Sequence, residues 1–184
     1  MSLVLALKNL FPAKADNEWL MEQYRLTQEA RYIELLYTEC GDDLYHYILS
    51  QTDRQLAQEV CQLTWLRVIE RRNSYRSSGK FKGWLFAIAR NLLIDELRRL
   101  QRWQYEDDAQ LVQPETGDLN AGTRSLTEAL QRLPFHQREA IVLQQEGFSL
   151  QEIAAIAGEE TETIKSRLRY GKSKLKKIWR VEHV

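Results

Sequence analysis

Four polar side chains spaced along one predicted helix could hydrogen-bond a nucleic acid. Asn91, Asp95, Arg98 and Arg102 stand at positions i, i+4, i+7 and i+11, so they form one stripe on an α-helix. Amide, carboxylate and guanidinium groups can hydrogen-bond base edges as well as phosphates. The apolar residues of the same segment fall on the opposite side, so the stripe would face outwards. The pattern predicts a nucleic-acid contact along this helix.

The segment before this helix is polar and rich in small residues. Its sequence, Ser77-Ser78-Gly79-Lys80, is flexible enough to close over an extruded base, which we state as a hypothesis. Phe81, Trp84 and Phe86 follow, and aromatic rings of this kind can stack on unpaired bases. Aromatic residues more often belong to a core, and we favour the core for Trp84 and Phe86.

A second motif lies near the C-terminus. Ser149 and Glu152 have the spacing of a capping box at the start of a helix. Ala154 is small enough for a close helix contact, and Gly158, four residues on, tolerates the positive φ of a tight turn. Thr161 can then cap the next helix. This order of residues predicts a helix-turn-helix, a motif that places its second helix in the DNA major groove.

The second helix of this motif carries polar side chains opposite its apolar stripe. Residues near its N-terminal end would reach base edges, and basic residues would lie nearer the phosphates. The first group is Glu162, Lys165, Ser166, Arg169 and Ser173; the second is Arg167, Lys172, Lys174 and Lys176. The alternative interpretation is a helical hairpin with a solvated basic face. Gly171 weakens a helix by about 1 kcal/mol relative to alanine, so we expect a bend or an end there.

No metal or catalytic site is predicted. Cys40, His46 and Cys61 lack the paired short spacings of a zinc site. Asp53 is better explained as a helix cap, and Glu59 as a partner contact, than as catalytic carboxylates. We therefore expect no enzyme activity, no cofactor, no catalytic residue and no small-molecule substrate.

Composition points to a helical protein of the cytoplasm. The chain has 184 residues with eight Gly, three Pro and two Cys, too few breakers for a loop-rich fold and too few cysteines for a disulfide framework. No apolar run approaches a membrane span, and we do not interpret the apolar residues 3–7 as a signal peptide. The net charge is zero, yet 66–102 holds ten basic against three acidic residues, and 165–180 holds eight basic and no acidic ones.

Periodicity predicts an all-α chain of two small helical domains joined by a flexible acidic linker. The predicted domains are an N-terminal extension at 1–27 that carries an extra helix, a first domain at 28–104, a linker at 105–122 and a second domain at 123–184. Expected helices lie at roughly 28–50 with a break near Gly41, 53–73, 82–103, 123–132, 135–146, 149–157 and 161–180. Pro134 suits the first turn of its helix.

Four groups of residues follow one another in a familiar order. They are AQEVCQLTW at 57–65; FKGWL at 81–85 with IARN at 88–91 and DELRR at 95–99; LP at 133–134 with QREA at 137–140; and EIA at 152–154 with TIKSRL at 163–168. With these motifs the chain resembles bacterial RNA polymerase sigma factors of the extracytoplasmic-function (ECF) type, in the sigma-70 family. The resemblance runs from about Tyr32 to Leu175, apart from the linker.

The resemblance implies that the first domain is sigma region 2. Its helix at 53–73 would bind the clamp helices of the polymerase β′ subunit. The residues implied in that contact are Gln58, Glu59, Gln62 and Leu66. The loop at 76–82 and the helix at 83–102 would read the minus-10 promoter element as single-stranded DNA. The residues expected there are Ser78, Lys80, Lys82, Asn91, Asp95, Arg98, Arg99 and Arg102.

The resemblance likewise implies that the second domain is region 4, which reads the minus-35 element and touches the polymerase β flap. The residues expected at that DNA are Arg138, Thr161, Glu162, Thr163, Lys165, Ser166, Arg167, Arg169 and Lys172. The implied activity is an alternative sigma factor that starts transcription of a stress- or signal-responsive regulon. An anti-sigma factor, often membrane-bound, commonly restrains such proteins, which adds sequestration at the inner membrane to the expected cytoplasmic location.

The chain departs from the family pattern at Leu63, where an acidic residue is usual, and at Tyr170-Gly171-Lys172. One rival interpretation is a stand-alone helix-turn-helix regulator, which would need a dimer and palindromic half-sites. The other is a metal-dependent enzyme. Dependence on polymerase separates the first rival from the sigma interpretation, and a zinc assay separates the second.

Overall fold

The computed structural model describes residues 16–76, 80–107 and 126–182, and within them the secondary structure is helical throughout. The helices are α1 (Asn17–Thr27), α2 (Ala30–Gln51), α3 (Arg54–Glu70), α4 (Phe81–Asp107), α5 (Leu126–Gln131), α6 (Phe135–Gln145), α7 (Leu150–Ala157) and α8 (Thr161–Glu182), with a 3₁₀ turn at Arg72–Ser74. The predicted all-α class is confirmed.

The first domain comprises α1 to α4. Asp16 caps α1, so the expected extra helix is confirmed, and Asp53 caps α3 by accepting a hydrogen bond from Leu56 N at 2.9 Å. The predicted break in α2 is wrong, since the helix continues through Gly41. Its buried face explains the continuity, because packing outweighs the cost of about 1 kcal/mol for one glycine. That face comprises Leu36, Cys40, Leu44, Tyr47 and Ile48.

The helix α4 is the longest element and extends further than predicted. It runs to Asp107, so the first three residues assigned to the linker are helical. The rest of the predicted linker, together with Ser78 and most of the N-terminal extension, lies outside the described residues. Leu85, Phe86, Ala89 and Leu93 line its buried side.

The second domain comprises α5 to α8. Pro134 occupies the N-cap of α6 with ψ of 144°, one position before the first turn where we expected it. Ser149 and Glu152 form a complete capping box at α7, and Gly158 ends that helix with φ of 65°. The helix α8 passes Gly171 without a break, so the expectation of a bend or an end there is wrong.

The two domains pack against each other. The helices α5 and α6 contact α2, and α7 contacts α4. The buried apolar residues of both domains, such as Phe86 and Phe148, form one cluster. Sequence reasoning left open how the domains are arranged, and the structure places them in direct contact.

Candidate nucleic-acid interface

Three residues of the predicted stripe on α4 lie exposed on one side of the helix. Asn91, Asp95 and Arg98 are all exposed, and the opposite side is buried. Arg99, also exposed, pairs with Glu96 at 2.6 Å between Nη2 and Oε2. The side chain of Arg102 lies outside the described residues. The stripe therefore offers an amide, a carboxylate and a guanidinium to a ligand.

Two cations near the start of α4 differ in their surroundings. Lys80 is exposed. Lys82 is half-buried, and its Nζ lies 2.8 Å from Asp43 Oδ2 and 3.2 Å from the carbonyl oxygen of Glu146. Lys82, predicted as a DNA contact, is thus engaged by acidic residues in this arrangement.

The aromatic residues before and within α4 form a cluster. Phe81 and Phe86 are buried, which confirms the core assignment for Phe86. Trp84 is only partly buried, and its ring centroid lies 4.8 Å from that of Tyr75. Trp84 therefore combines a core contact with an accessible edge.

A buried carboxylate of α1 holds the residues on either side of the 76–80 segment. Glu18 Oε1 accepts hydrogen bonds from the Tyr75 hydroxyl and from the backbone N–H of Phe81. The second bond satisfies a donor that a helix N-terminus leaves unpaired. Burial, together with the hydrogen bond to Glu18, raises the pKa of Tyr75. Sequence reasoning missed this role, because nothing in the sequence signalled the partners of Glu18, which lie 57 and 63 residues away.

The helix-turn-helix places most of the residues expected at the minus-35 DNA on one side of α8. Glu162, Lys165, Arg169 and Lys172 are exposed on α8, and Thr161, Thr163 and Ser166 are half-buried beside them. Lys165 Nζ pairs with Glu162 Oε1 at 2.5 Å. The buried side of the helix carries Ile164 and Leu168. The structure therefore brings most of the predicted set together on one face.

Hydrogen bonds fix the turn before this face. The capping-box bonds hold the pKa of Glu152 below its ordinary value, with the Ser149 hydroxyl contributing most. Arg167 Nη2 lies 2.6 Å from Glu159 Oε1, which lowers the pKa of that carboxyl. Arg167, predicted as a phosphate contact, thus helps to hold the turn between α7 and α8.

Arg138, which we expect at the minus-35 DNA, bonds to the first domain in this structure. Its Nε lies 3.1 Å from Gln51 Oε1, and its Nη1 lies 2.9 Å from the carbonyl oxygen of Gln131. Burial lowers the pKa of Arg138. These bonds hold the guanidinium against Gln51 at the end of α2 of the first domain, because α6 packs against α2.

The predicted polymerase-binding residues share the exposed side of α3. Gln58, Glu59 and Gln62 are exposed, and Leu66 is 56% exposed. Tyr37 of α2 is also exposed and lies beside Trp65, with ring centroids 5.3 Å apart. Sequence reasoning missed Tyr37, which adds an aromatic ring to this surface.

In the described parts of the chain, no three His, Cys, Asp or Glu side chains are grouped as metal ligands would be. Likewise, none of the described helices has the length and apolar character needed to cross a membrane. Burial raises the pKa of both Cys40 and Cys61 to about 11.

Comparisons with known proteins agree with these two domains. The family model "Sigma-70 region 2" matches residues 36–103, and "Sigma-70, region 4" matches 123–175. ECF RNA polymerase sigma factor EcfG of Rhodopseudomonas palustris is 33% identical over 131 residues, covering 68% of this chain and 72% of the relative. RNA polymerase sigma factor CarQ of Myxococcus xanthus is 34% identical over 129 residues, covering 67% and 74%.

Two solved structures share the fold. Sigma factor RpoE of Bartonella quintana, solved in complex with the anti-sigma factor NepR, superposes with a TM-score of 0.70 at 26% identity, covering 82% of this chain and 98% of that one. CnrH, solved with the cytosolic domain of CnrY, gives a TM-score of 0.69 at 21% identity over 90% of this chain and 98% of that one.

These matches define a two-domain transcription initiation factor rather than an enzyme. The chain belongs to the ECF family of RNA polymerase sigma factors. Its α2 to α4 correspond to region 2, and its α5 to α8 correspond to region 4.

Proposed function

We propose that this chain directs core RNA polymerase to promoters that carry minus-10 and minus-35 elements, and so switches on a stress- or signal-responsive regulon. The observation that carries the proposal is the pair of exposed polar faces, one on α4 and one on α8, within a chain of this family. Two faces on separate domains can each bind weakly, because linkage raises the effective concentration of the second contact.

The α4 face is proposed to bind the minus-10 element as single-stranded DNA. Asn91, Asp95 and Arg98 would hydrogen-bond bases. Arg99, Arg102, Lys80, Lys82 and Ser78 complete the proposed contact. The part-exposed Trp84 ring beside Tyr75 gives an unstacked base a stacking partner, and base–aromatic stacking contributes about 1–3 kcal/mol per base.

The α8 face is proposed to read the minus-35 element in the major groove. Glu162, Lys165 and Arg169 are exposed near the N-terminal half of the helix, where a recognition helix meets base edges. Thr161, Thr163, Ser166, Arg167 and Lys172 complete the proposed contact. Arg138 belongs to it only when its bonds to Gln51 are released.

The exposed side of α3 is proposed to bind the β′ clamp helices. Gln58, Glu59, Gln62 and Leu66 supply hydrogen-bonding groups around one apolar side chain, a composition that suits a protein interface. Region 4 would touch the β flap.

An anti-sigma factor is the proposed regulator. The likeness to RpoE, whose solved complex contains the anti-sigma factor NepR, supports this partner. We propose a cytoplasmic location for the chain, with sequestration at the inner membrane when the anti-sigma factor is membrane-bound.

The experiment that tests the function is co-elution with sigma-free core polymerase, followed by run-off transcription on a genomic promoter library. We expect a stable complex and transcripts whose promoters share two spaced elements. Failure to co-elute, combined with duplex DNA binding by the chain alone, would instead indicate a stand-alone regulator.

Variants locate the contacts within that assay. Lys165→Ala and Arg169→Ala should lower minus-35-dependent transcription while polymerase binding persists, and Asn91→Ala should reduce promoter opening. Gln62→Ala combined with Leu66→Ala should weaken polymerase binding. Glu34→Ala, at an exposed position of α2, serves as the matched control. It should change neither transcription, nor promoter opening, nor polymerase binding.

A further inference from the structure

A buried ion pair joins the two domains. Arg90 of α4 and Glu139 of α6 lie 2.7 Å apart between Nε and Oε1, with side chains only 9% and 1% exposed. The Tyr47 hydroxyl of α2 donates to the same carboxylate oxygen at 3.1 Å. If either charged partner alone is removed, the other remains buried and uncompensated, which is costly in a protein interior.

Two peripheral links flank this network. Lys82 of region 2 binds Asp43 of its own domain and Glu146 of region 4. Its Nζ also lies 5.5 Å from the ring centroid of Phe148, which stacks edge-to-face on Phe86 at 4.9 Å.

The second link is the bond from Arg138 of region 4 to Gln51 of region 2. Arg138 and Lys82 are both proposed DNA contacts. Each of them instead bonds to the other domain while regions 2 and 4 are packed together, an arrangement that we call closed.

The second domain also covers the start of α4. Glu152 and Ile156 of α7 form one wall of a cavity of about 350 Å³ whose other wall includes Tyr75, Lys80 and Trp84. The proposed stacking ring of Trp84 thus faces region 4 in this arrangement.

The closed arrangement is too small to span a promoter. Elements named minus-10 and minus-35 lie about 25 base pairs apart, or about 85 Å at about 3.4 Å per base pair. A compact chain of 184 residues has a radius of gyration of about 16 Å, which corresponds to about 40 Å across. Regions 2 and 4 must separate before both elements can be bound.

We propose that Arg90, Glu139 and Tyr47 form an autoinhibitory latch, which holds the free chain closed and opens when core polymerase binds. The inference rests on the proposed function, because it assigns the opening step to polymerase. Water solvates the charges of Arg90 and Glu139 once the domains separate, which favours reversible opening, although opening also exposes the apolar contact between Phe86 and Phe148. Opening also returns Arg90 to solvent beside Asn91 of the DNA-binding stripe.

The test combines small-angle X-ray scattering of the free chain with the rate of its association with core polymerase. Arg90→Glu and Glu139→Arg alone should each open the chain, raise the radius of gyration and speed association at least threefold. The double swap restores opposite charges and should return both values towards those of the wild type. Glu160→Gln, an exposed change in region 4, is the control and should alter neither.

A second variant guards against simple unfolding. Asp43→Asn combined with Glu146→Gln weakens the Lys82 link without burying an unpaired charge, because Lys82 remains about one-third exposed. This double variant should raise the radius of gyration, but by less than the Arg90 and Glu139 variants do. Its helicity, measured by circular dichroism, should stay unchanged.

The outcomes separate the two proposals. A wild-type chain that binds polymerase but scatters as an open molecule would overturn the latch, as would helical single variants with unchanged scattering and association. A closed chain that does not bind polymerase would overturn the proposed function, and with it the assignment of the opening step.

Discussion

Gly171 of α8 packs so closely on Ile141 of α6 that a Cβ atom at position 171 would lie 2.9 Å from Ile141 Cδ1. The same atom would lie 3.2 Å from Gln137 Cβ and 3.4 Å from the Gln137 carbonyl oxygen. The glycine therefore sits at the closest approach of two helices. Close packing, rather than a break, explains why a poor helix former stands in the middle of the recognition helix.

Gly171→Ala should destabilise the protein even though alanine favours helices. Overpacking costs about 1–3 kcal/mol, which exceeds the gain of about 1 kcal/mol in helix propensity, and Gln137 Cβ, 3.2 Å from the added atom, is attached directly to the α6 backbone. Urea unfolding should show a lower midpoint at an unchanged slope. Gly83→Ala is the matched control, because nothing lies within 4 Å of the added Cβ there, and it should be neutral or stabilising. Equal effects at the two sites would contradict the packing argument.

Ser149→Ala should destabilise region 4 by about 1 kcal/mol, because the N-cap oxygen accepts from Glu152 N. The pKa of Glu152 lies below its ordinary value of 4.5, so the stabilisation is present above pH 4.5 and is lost as the pH falls through the lowered value. The difference in melting temperature between wild type and variant should therefore narrow in acid, because the bond from the Ser149 hydroxyl to the ionised carboxylate is lost, while the bond from Glu152 N to Ser149 Oγ remains. Gln151→Ala, an exposed neighbour, should leave the melting temperature within error, and a constant difference at every pH would speak against the capping-box explanation.

Glu18→Ala should cost about 1–3 kcal/mol, because it removes the acceptor of two buried donors, Tyr75 O–H and Phe81 N–H. Glu18→Gln keeps an amide oxygen at that position and should cost less. Glu22→Ala removes only a pair with Arg25 whose side chains are about one-third exposed, so it should cost less than Glu18→Ala. Chemical denaturation ranks the three variants, and a Glu22 effect equal to that of Glu18→Ala would refute the assignment.

Both thiols should react slowly with iodoacetamide while the chain is folded. Burial raises the pKa of Cys40 and Cys61 to about 11, so about one thiol in a thousand is thiolate at pH 8. Alkylation followed by mass spectrometry should accelerate as the pH rises towards 11, and at pH 8 in urea it should become fast. Rapid labelling of the native chain at pH 8 would contradict the burial of these side chains.

Local signals predicted much of the fold correctly. The capping box, Gly158 and the apolar stripe of α8 define the helix-turn-helix from adjacent residues, which is why the sequence sufficed there. The same reasoning failed at Gly41 and Gly171, because each glycine lies in a helix that tertiary packing maintains. Helix propensity describes a residue within an isolated helix, so it does not include the stabilisation that tertiary packing adds.

Long-range partners could not be predicted. Arg90 and Glu139 are separated by 49 residues, and each belongs to a motif that explains it without the other. Arg138 resembles a DNA contact in a region-4 motif, yet its partner Gln51 lies 87 residues away. Residue type and spacing identify surfaces that can bind DNA, whereas the choice between DNA and the other domain depends on three-dimensional arrangement.

The separation between Arg90 and Glu139 also sets a delay during synthesis. Ribosomes add about 5–20 residues per second, so the 49 additions that lead from Arg90 to Glu139 take about 2–10 s. For that interval the nascent chain presents Arg90 with no acidic partner from region 4. Every newly made molecule is thus briefly in the open form before its second half has been translated.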